Sequence, residues 1–258
     1  MRFVNSPNLP KSKVKSILIS AGAGRAALND LKRLGIEPIT VNPCPDIQPQ
    51  VSAHPDMLFH HVVNNKIVYY NSDSNRDVYE RLKELGFELI PISKKLAKEY
   101  PEDIALNAAR IGNYLFCKMG NTATELLDYY NLDYYNNENI KIIDIKQGYA
   151  KCSVCVVSEN AIITADKSIA KAAMNVGIDV LLIKEGFIKL NGYNYGFIGG
   201  CCGKLSENIL AFCGNIKKHP EYNRIQDFLK EHNVSIIILD EKSELHDIGS
   251  IIPLIEQK

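Results

Sequence analysis

Cys152-Ser-Val-Cys-Val-Val157, Ser158-Glu-Asn160, Ala161-Ile-Ile-Thr164, Asp166 to Asn175, Gly177 and Asp179-Val-Leu-Leu-Ile183 read in succession as strand, turn, strand, amphipathic helix, stop and strand. The same order returns at a period of about fifty residues, which is the signature of a repeat architecture. A second copy has Asp56-Met-Leu-Phe59, a turn at Asn64-Asn65, Lys66-Ile-Val-Tyr-Tyr70, a helix from Asn75 to Leu85, Gly86 and Glu88-Leu-Ile-Pro-Ile92. A third runs through Ala105-Leu-Asn107, Tyr114-Leu-Phe-Cys117, a helix from Thr122 to Tyr130 and Ile140-Lys-Ile-Ile143. A fourth has Ile209-Leu-Ala-Phe212, a helix from Glu221 to Glu231, Asn233 and Ser235-Ile-Ile-Ile-Leu239. The fifth is split between the chain ends. Ser16-Ile-Leu-Ile-Ser20, a helix from Arg25 to Leu34, Gly35 and Pro38-Ile-Thr-Val41 come from the N-terminal part, and Asp247-Ile-Gly-Ser-Ile-Ile252 supplies the missing first strand.

One strand-helix-strand unit cannot cover both of its faces, so such units stack until neighbours bury them. Five copies whose ends complete one another imply a closed ring, an α/β five-bladed β/α-propeller with pseudo-five-fold symmetry. The expected domain is single and spans 1-258, with repeats at 16-43 plus 245-254, 52-93, 101-145, 148-185 and 198-240. Helices such as Asn75-Arg-Asp-Val-Tyr-Glu-Arg-Leu-Lys-Glu-Leu85 have one polar face and belong outside, which leaves the first strands near the axis.

Composition narrows the function classes. Lys plus Arg and Asp plus Glu balance at 30 each, so the electrostatic footprint of a nucleic-acid binder is missing. No apolar run approaches the roughly 18 residues of a membrane span, and Met1 to Pro10 lacks a signal-peptide core, so a cytoplasmic location is expected. Seven cysteines scattered through apparent strands read as free buried thiols, with Cys117, Cys155 and Cys213 as core packing. If Cys152 and Cys155 share one strand they point to opposite faces, and adjacent Cys201 and Cys202 diverge likewise, so neither pair reads as a metal site. No metal and no cofactor are expected. Gly22-Ala-Gly-Arg-Ala-Ala27 after a strand has the order of a dinucleotide site, but Val41-Asn-Pro43 offers no acid for a ribose, and a tight turn is the preferred reading.

The blade order and partial motifs resemble the pentein superfamily, the guanidino-modifying β/α-propellers that include arginine deiminase, dimethylarginine dimethylaminohydrolase, agmatine deiminase, amidinotransferases and a non-enzymatic ribosome anti-association factor. The resemblance covers about 16-254. It implies a cysteine nucleophile, a histidine proton carrier and carboxylates that grip a guanidinium. His54-Pro-Asp56-Met is similar to the blade whose early aspartate contacts substrate, and Pro101-Glu-Asp-Ile104 to the blade with a Glu-Gly-Gly-Asp signature, which assigns ligand-binding roles to Asp56, Glu102 and Asp103. Tyr149-Ala-Lys-Cys-Ser-Val154 matches a His-Leu-Lys-Cys-Ser-Val type of segment, and His246-Asp-Ile-Gly-Ser-Ile-Ile-Pro253 a His-Cys-Ile-Thr-Gln-Gln-Ile-Pro ending. Tyr149 and Asp247 thus stand where the family's histidine and cysteine would be, and both become candidate ligand contacts.

The resemblance therefore implies a divergent, amidinotransferase-like pseudoenzyme. It binds a small cationic, guanidino or amino-acid-like ligand in an acid-lined centre, without the usual covalent mechanism. One alternative is an active hydrolase or transferase with a relocated nucleophile, Cys152, Cys201 or Cys202, and His54 or His246 as proton carrier. Another is an interaction module like the ribosome factor. The expected partner is the small ligand, not a nucleic acid or a membrane, and a ring with outward helices can also pair as a homodimer. His54 before Pro55 and Asp103 also have plain readings as loop cap and turn residue. The glycines of Gly196-Phe-Ile-Gly-Gly200 suit either close approach to a ligand or a turn between blades, His219 reads as a surface residue, and His60, His61 and His232 read as peripheral.

Overall fold

The computed structural model describes residues 1–131 and 140–258. Five small sheets follow one another along the chain. The second sheet contains Phe59–Val63, Lys66–Tyr69 and Glu88–Pro91; the third Ala109–Ile111, Tyr114–Cys117 and Lys141–Asp144. The fourth contains Val154–Ser158, Ala161–Thr164 and Asp179–Leu182; the fifth Cys202–Ser206, Ile209–Cys213 and Ser235–Leu239. In each the first strand pairs antiparallel with the middle one, and the middle one pairs parallel with the outer. A parallel pair needs a crossover, and a helix supplies it.

The first sheet joins the two ends of the chain. Ile252–Glu256 lies antiparallel beside Val14–Ser20, which is parallel to Glu37–Val41, and Arg2–Phe3 adds an edge strand that the repeat pattern gives no sign of.

The helices form where apolar residues recur at helical spacing. Arg76–Glu84 buries Val78, Tyr79 and Leu82 and exposes its charges. Lys167–Asn175 begins at Asp166, whose carboxylate accepts from the backbone N–H of Ser168 and Ile169. Gly35, Gly86, Gly177 and Asn233 follow four helices with φ between +56° and +91°. Each is followed by an N–H bond back to the last turn, as Ile178 to Ala173 shows, so the chain leaves the helix by a left-handed residue. Gly24 at φ +85° turns the chain from Ala21–Ala23 into Arg25–Arg33, so the N-terminal glycines make a turn.

Apolar packing links the sheets pairwise. Leu18 and Ile252 of the first share a core with Val62 and Ile67 of the second, and these with Leu115 of the third. Ile111 and Phe116 of the third pack with Val154 and Ile162 of the fourth. Cys155 and Ile163 of the fourth pack with Leu210 and Phe212 of the fifth, and Leu205 and Ala211 of the fifth with Ile17 and Ile19 of the first. One core thus joins the first three sheets, and the others join third to fourth, fourth to fifth and fifth to first. Among the described residues no helix is long and apolar enough to cross a membrane.

The main correction concerns the first strands, which begin later than the apolar pattern indicates. Pro55–Leu58 and Ala150–Ser153 are single helical turns, so Asp56 and Cys152 precede their strands. The third sheet's first strand begins at Ala109, beyond the predicted Ala105–Asn107. The C-terminal strand starts at Ile252, because Gly249 and Ser250 have φ of +70° and +74°, which interrupts the extended run predicted from Asp247.

Candidate functional site

The short leaders before the first strands carry a set of polar groups that meet in the interior. His54 and Asp56 come from the leader of the second sheet, Asp103 and Asn107 from that of the third, Tyr149, Lys151 and Cys152 from that of the fourth, and Asp247 and Ser250 from that of the C-terminal strand. A turn allows what a strand forbids. Successive residues need not alternate faces, so several side chains of one leader can converge.

Cys152 lies at the middle of the group. Its Sγ is 3.1 and 3.3 Å from the two carboxylate oxygens of Asp56, and the Asn107 amide donates to it at 3.2 Å. Asn107 Oδ1 accepts from the backbone N–H of Lys151 and Cys152, which fixes the helical turn. The Lys151 ammonium donates to Ser250 Oγ at 2.9 Å, and Ser250 Oγ lies 2.7 Å from Asp56 Oδ2. Asp247 is held by the N–H groups of Phe197 at 2.9 Å and Gly249 at 3.0 Å. His54 Nδ1 stands 3.8 Å from Asp247 Oδ1, is buried, and has no hydrogen-bond partner.

The approach is close enough to exclude side chains. A Cβ on Gly200 would overlap the Asp247 carboxylate, and one on Gly249 would overlap His54. The glycines of Gly196 to Gly200 thus permit close approach to protein groups, Asp247 above all.

A cavity of about 240 Å³ opens above the cluster. His54, Cys152 and Asp247 line it below, and Tyr149, Tyr193, Tyr195 and Phe197 form an aromatic wall. The Tyr149 hydroxyl donates to Asp103 Oδ2 at 2.8 Å, while Asp103 Oδ1 is buried without a partner. A wider cleft of about 650 Å³ shares His54, Leu190 and Asp247 with this cavity, so the cluster is approached from two sides.

Burial governs the protonation states. It raises the Asp56 carboxyl above the usual carboxylate range, against the pull of His54 and Lys151, and pushes Asp247 up to about 6, against its two backbone N–H donors. It lowers His54 to about 4, against the charge of Asp56 and the backbone of Asp247, so the imidazole is neutral at pH 7. Burial, reinforced by the charges of Asp56 and Asp247, keeps Cys152 a thiol.

A family model of unknown function, DUF6873, matches residues 18–252, nearly the whole chain. The chain belongs to that family. No curated protein matches this DUF6873 sequence. Its structure is similar to an amidinotransferase of the saxitoxin pathway, SxtG from Microseira wollei, at 12% identity and TM-score 0.62 over 99% of this chain and 98% of that one. It is also similar to inosamine-phosphate amidinotransferase StrB1 from Streptomyces griseus at 10% identity and TM-score 0.59, covering 100% and 98%. Agmatine deiminase of C. jejuni aligns at 11% identity and TM-score 0.56, covering 98% and 97%. The DUF6873 chain has the pentein fold.

Of the residues singled out from the sequence, the structure brings together His54, Asp56, Cys152 and Asp247, with Tyr149 on the cavity wall and Asp103 behind it. Glu102 is elsewhere, half exposed and paired with Lys94 at 3.2 Å. Cys201 and Cys202 lie in the apolar core between the fourth and fifth sheets, because their chain segment has already entered the packed layer. His246 faces the wider cleft and pairs with Cys213 Sγ at 3.4 Å. His219 is buried, not on the surface, and His60 and His61, buried as well, do not line the cavity.

Sequence reasoning missed Asn107, Ser250 and the tyrosines 193 and 195. Asn107 lay inside a segment read as a strand, and Ser250 inside another, which hid their convergence. The tyrosines lie between the fourth and fifth repeats, outside the repeating pattern.

Proposed function

We propose that this DUF6873 protein binds a small organic cation of the guanidino class at Asp56 and Asp247, in the centre of a single-domain five-bladed β/α-propeller. The observation that carries the reading is a charge imbalance in a desolvated place. Two buried carboxylates share one buried ammonium, that of Lys151, while His54 and Cys152 are neutral. With both carboxylates ionised, one negative charge remains, and a monovalent cation entering the cavity restores balance. The aromatic wall favours a flat, delocalised cation over a compact ammonium. The ring closure is supported by cores shared in cyclic order, first to second through fifth to first. Seven free buried cysteines support a reducing, cytoplasmic location.

Thermal unfolding in the presence of arginine, agmatine and smaller guanidines tests the binding. At least one raises the melting temperature of the native chain, and Asp247→Asn abolishes the rise. No rise with any guanidino compound sinks the reading.

A second reading, in which Cys152 attacks the bound guanidinium carbon, is favoured by its place on the cavity and its contact with Asp56. The thiol proton passes to Asp56, and the incoming cation offsets the negative charge that opposes a thiolate. Release of ammonia or an amine that is lost in Cys152→Ser would establish it; binding without release leaves the first reading alone.

A further inference from the structure

The donor atoms of His54, Cys152 and Asp247 lie within 4.8 Å of one another, and all three residues line the floor of the cavity. They come from three distant parts of the chain, so no local ligand spacing marks them. We propose that they form a site for a thiophilic divalent cation of the Zn2+ type.

The donor set selects the metal. One sulfur, one nitrogen and one oxygen suit Zn2+ or Co2+, whereas Mg2+ and Ca2+ require oxygen donors throughout. The spacing is near what a single ion needs. Around tetrahedral zinc, donors at about 2.0–2.3 Å from the ion are about 3.3–3.8 Å apart. His54 Nδ1 and Asp247 Oδ1 already stand 3.8 Å apart, too far for a hydrogen bond to each other, and no pair in the donor set is separated by more than 4.8 Å.

An independent observation points the same way. His54 Nδ1 is buried without a hydrogen-bond partner, on a side chain that is 5% exposed, and such orphaned nitrogens are costly unless something occupies them. The surroundings hold the ligands in place. Asp247 is oriented by two backbone N–H groups, the His54 ring is backed by Gly249, and Cys152 is positioned by Asn107.

Binding exchanges a proton for a metal bond. The Cys152 S–H gives its proton to Asp56, 3.1 Å away, and the sulfur electron pair goes to the ion. Three protein ligands leave a fourth position towards the cavity, for water or for a donor atom of a small molecule. The proposal does not rest on guanidino binding. Since it engages Asp247, the ion excludes a guanidinium from that carboxylate.

Titration of the chelator-stripped, folded full chain with Co2+ tests it. One equivalent is expected to give a thiolate-to-cobalt charge-transfer band and the intense visible bands of a tetrahedral ion, both removed by Zn2+. Cys152→Ser loses the charge-transfer band, and Asp247→Asn weakens Co2+ binding by about tenfold or more, since even outer partners of metal ligands matter by that much. No charge-transfer band in the native chain, or an undiminished band in Cys152→Ser, overturns the site. Guanidino binding is measured separately in the presence of chelator, so either proposal can fail without the other.

Discussion

Cys152 and Cys155 are three residues apart, yet one faces two carboxylates, an amide and an imidazole, while the other packs against Ile163, Leu210 and Phe212. His54 and His60 repeat the contrast: the first stands at the cavity with a free nitrogen, the second is enclosed between the Leu106 carbonyl and the Tyr130 hydroxyl. In both pairs the earlier residue belongs to a leader and the later one to a strand. The leaders bring their polar groups together in one cluster at the cavity, whereas the strand residues of both pairs are enclosed in packed layers, although the same residue types occur in both. What a cysteine or histidine does here is decided by which side of a helical turn it falls on.

The most damaging way to test this division is to fill the leaders' tight contact. Gly200→Ala drives a Cβ into the Asp247 carboxylate and is expected to cost about 2–3 kcal/mol, with loss of any guanidino-induced rise in melting temperature. Gly120→Ala, where a Cβ meets nothing within 4 Å, leaves both unchanged. Urea denaturation of the two variants provides the measurement. Equal stability of the two would mean that Asp247 is free to move and that the leader packing is loose.

A smaller effect comes from one substitution made on both sides of the boundary. Cys155→Ser puts a hydroxyl into an apolar layer where its polar neighbour is the sulfur of Cys202, and is expected to cost about 1–3 kcal/mol. Cys152→Ser costs less than half of that, because Asp56 and Asn107 are already placed to bond an oxygen. The denaturation midpoints of the pair measure the difference in environment directly. Similar losses would erase the distinction between leader and strand.

The repeat was legible because burial imposes a period. Middle strands such as Ala161–Thr164 and Ile209–Cys213, and helices closed by Gly86 or Gly177, stand where apolar spacing and stop residues put them. The site was legible in its residue types: His54, Asp56, Cys152, Tyr149 and Asp247 were all candidates. Its assembly was not. Asp56-Met-Leu-Phe59 and Cys152 to Val157 are apolar enough to pass for strands, and one helical turn is too short to show a 3.6-residue period against that background. The same blur left Cys201 and Cys202 as candidate nucleophiles, whereas their segment is already inside the core. The separation of Glu102 from Asp103 had no sequence signal, because adjacent acids differ only in the direction in which the chain turns them.

The mildest test uses acid on the strand histidines. Burial lowers His60 to about 3 and His61 to about 4, from an ordinary value of 6.5, so both are neutral in the folded chain at pH 5.5, while their unfolded counterparts are mostly protonated. In that window the unfolded state binds more protons, and stability rises with pH. Each histidine's contribution is complete above pH 6.5 and is lost as pH falls towards its folded value. Between pH 6.5 and 5.5 the loss is about 1 kcal/mol per histidine. His60→Gln is expected to remove about that much of the acid sensitivity, as read from urea midpoints at the two pH values, while still reaching the Tyr130 hydroxyl. An unchanged pH slope would show that His60 takes up its proton in the folded chain, and that the strand side of the boundary is wetter than its packing implies.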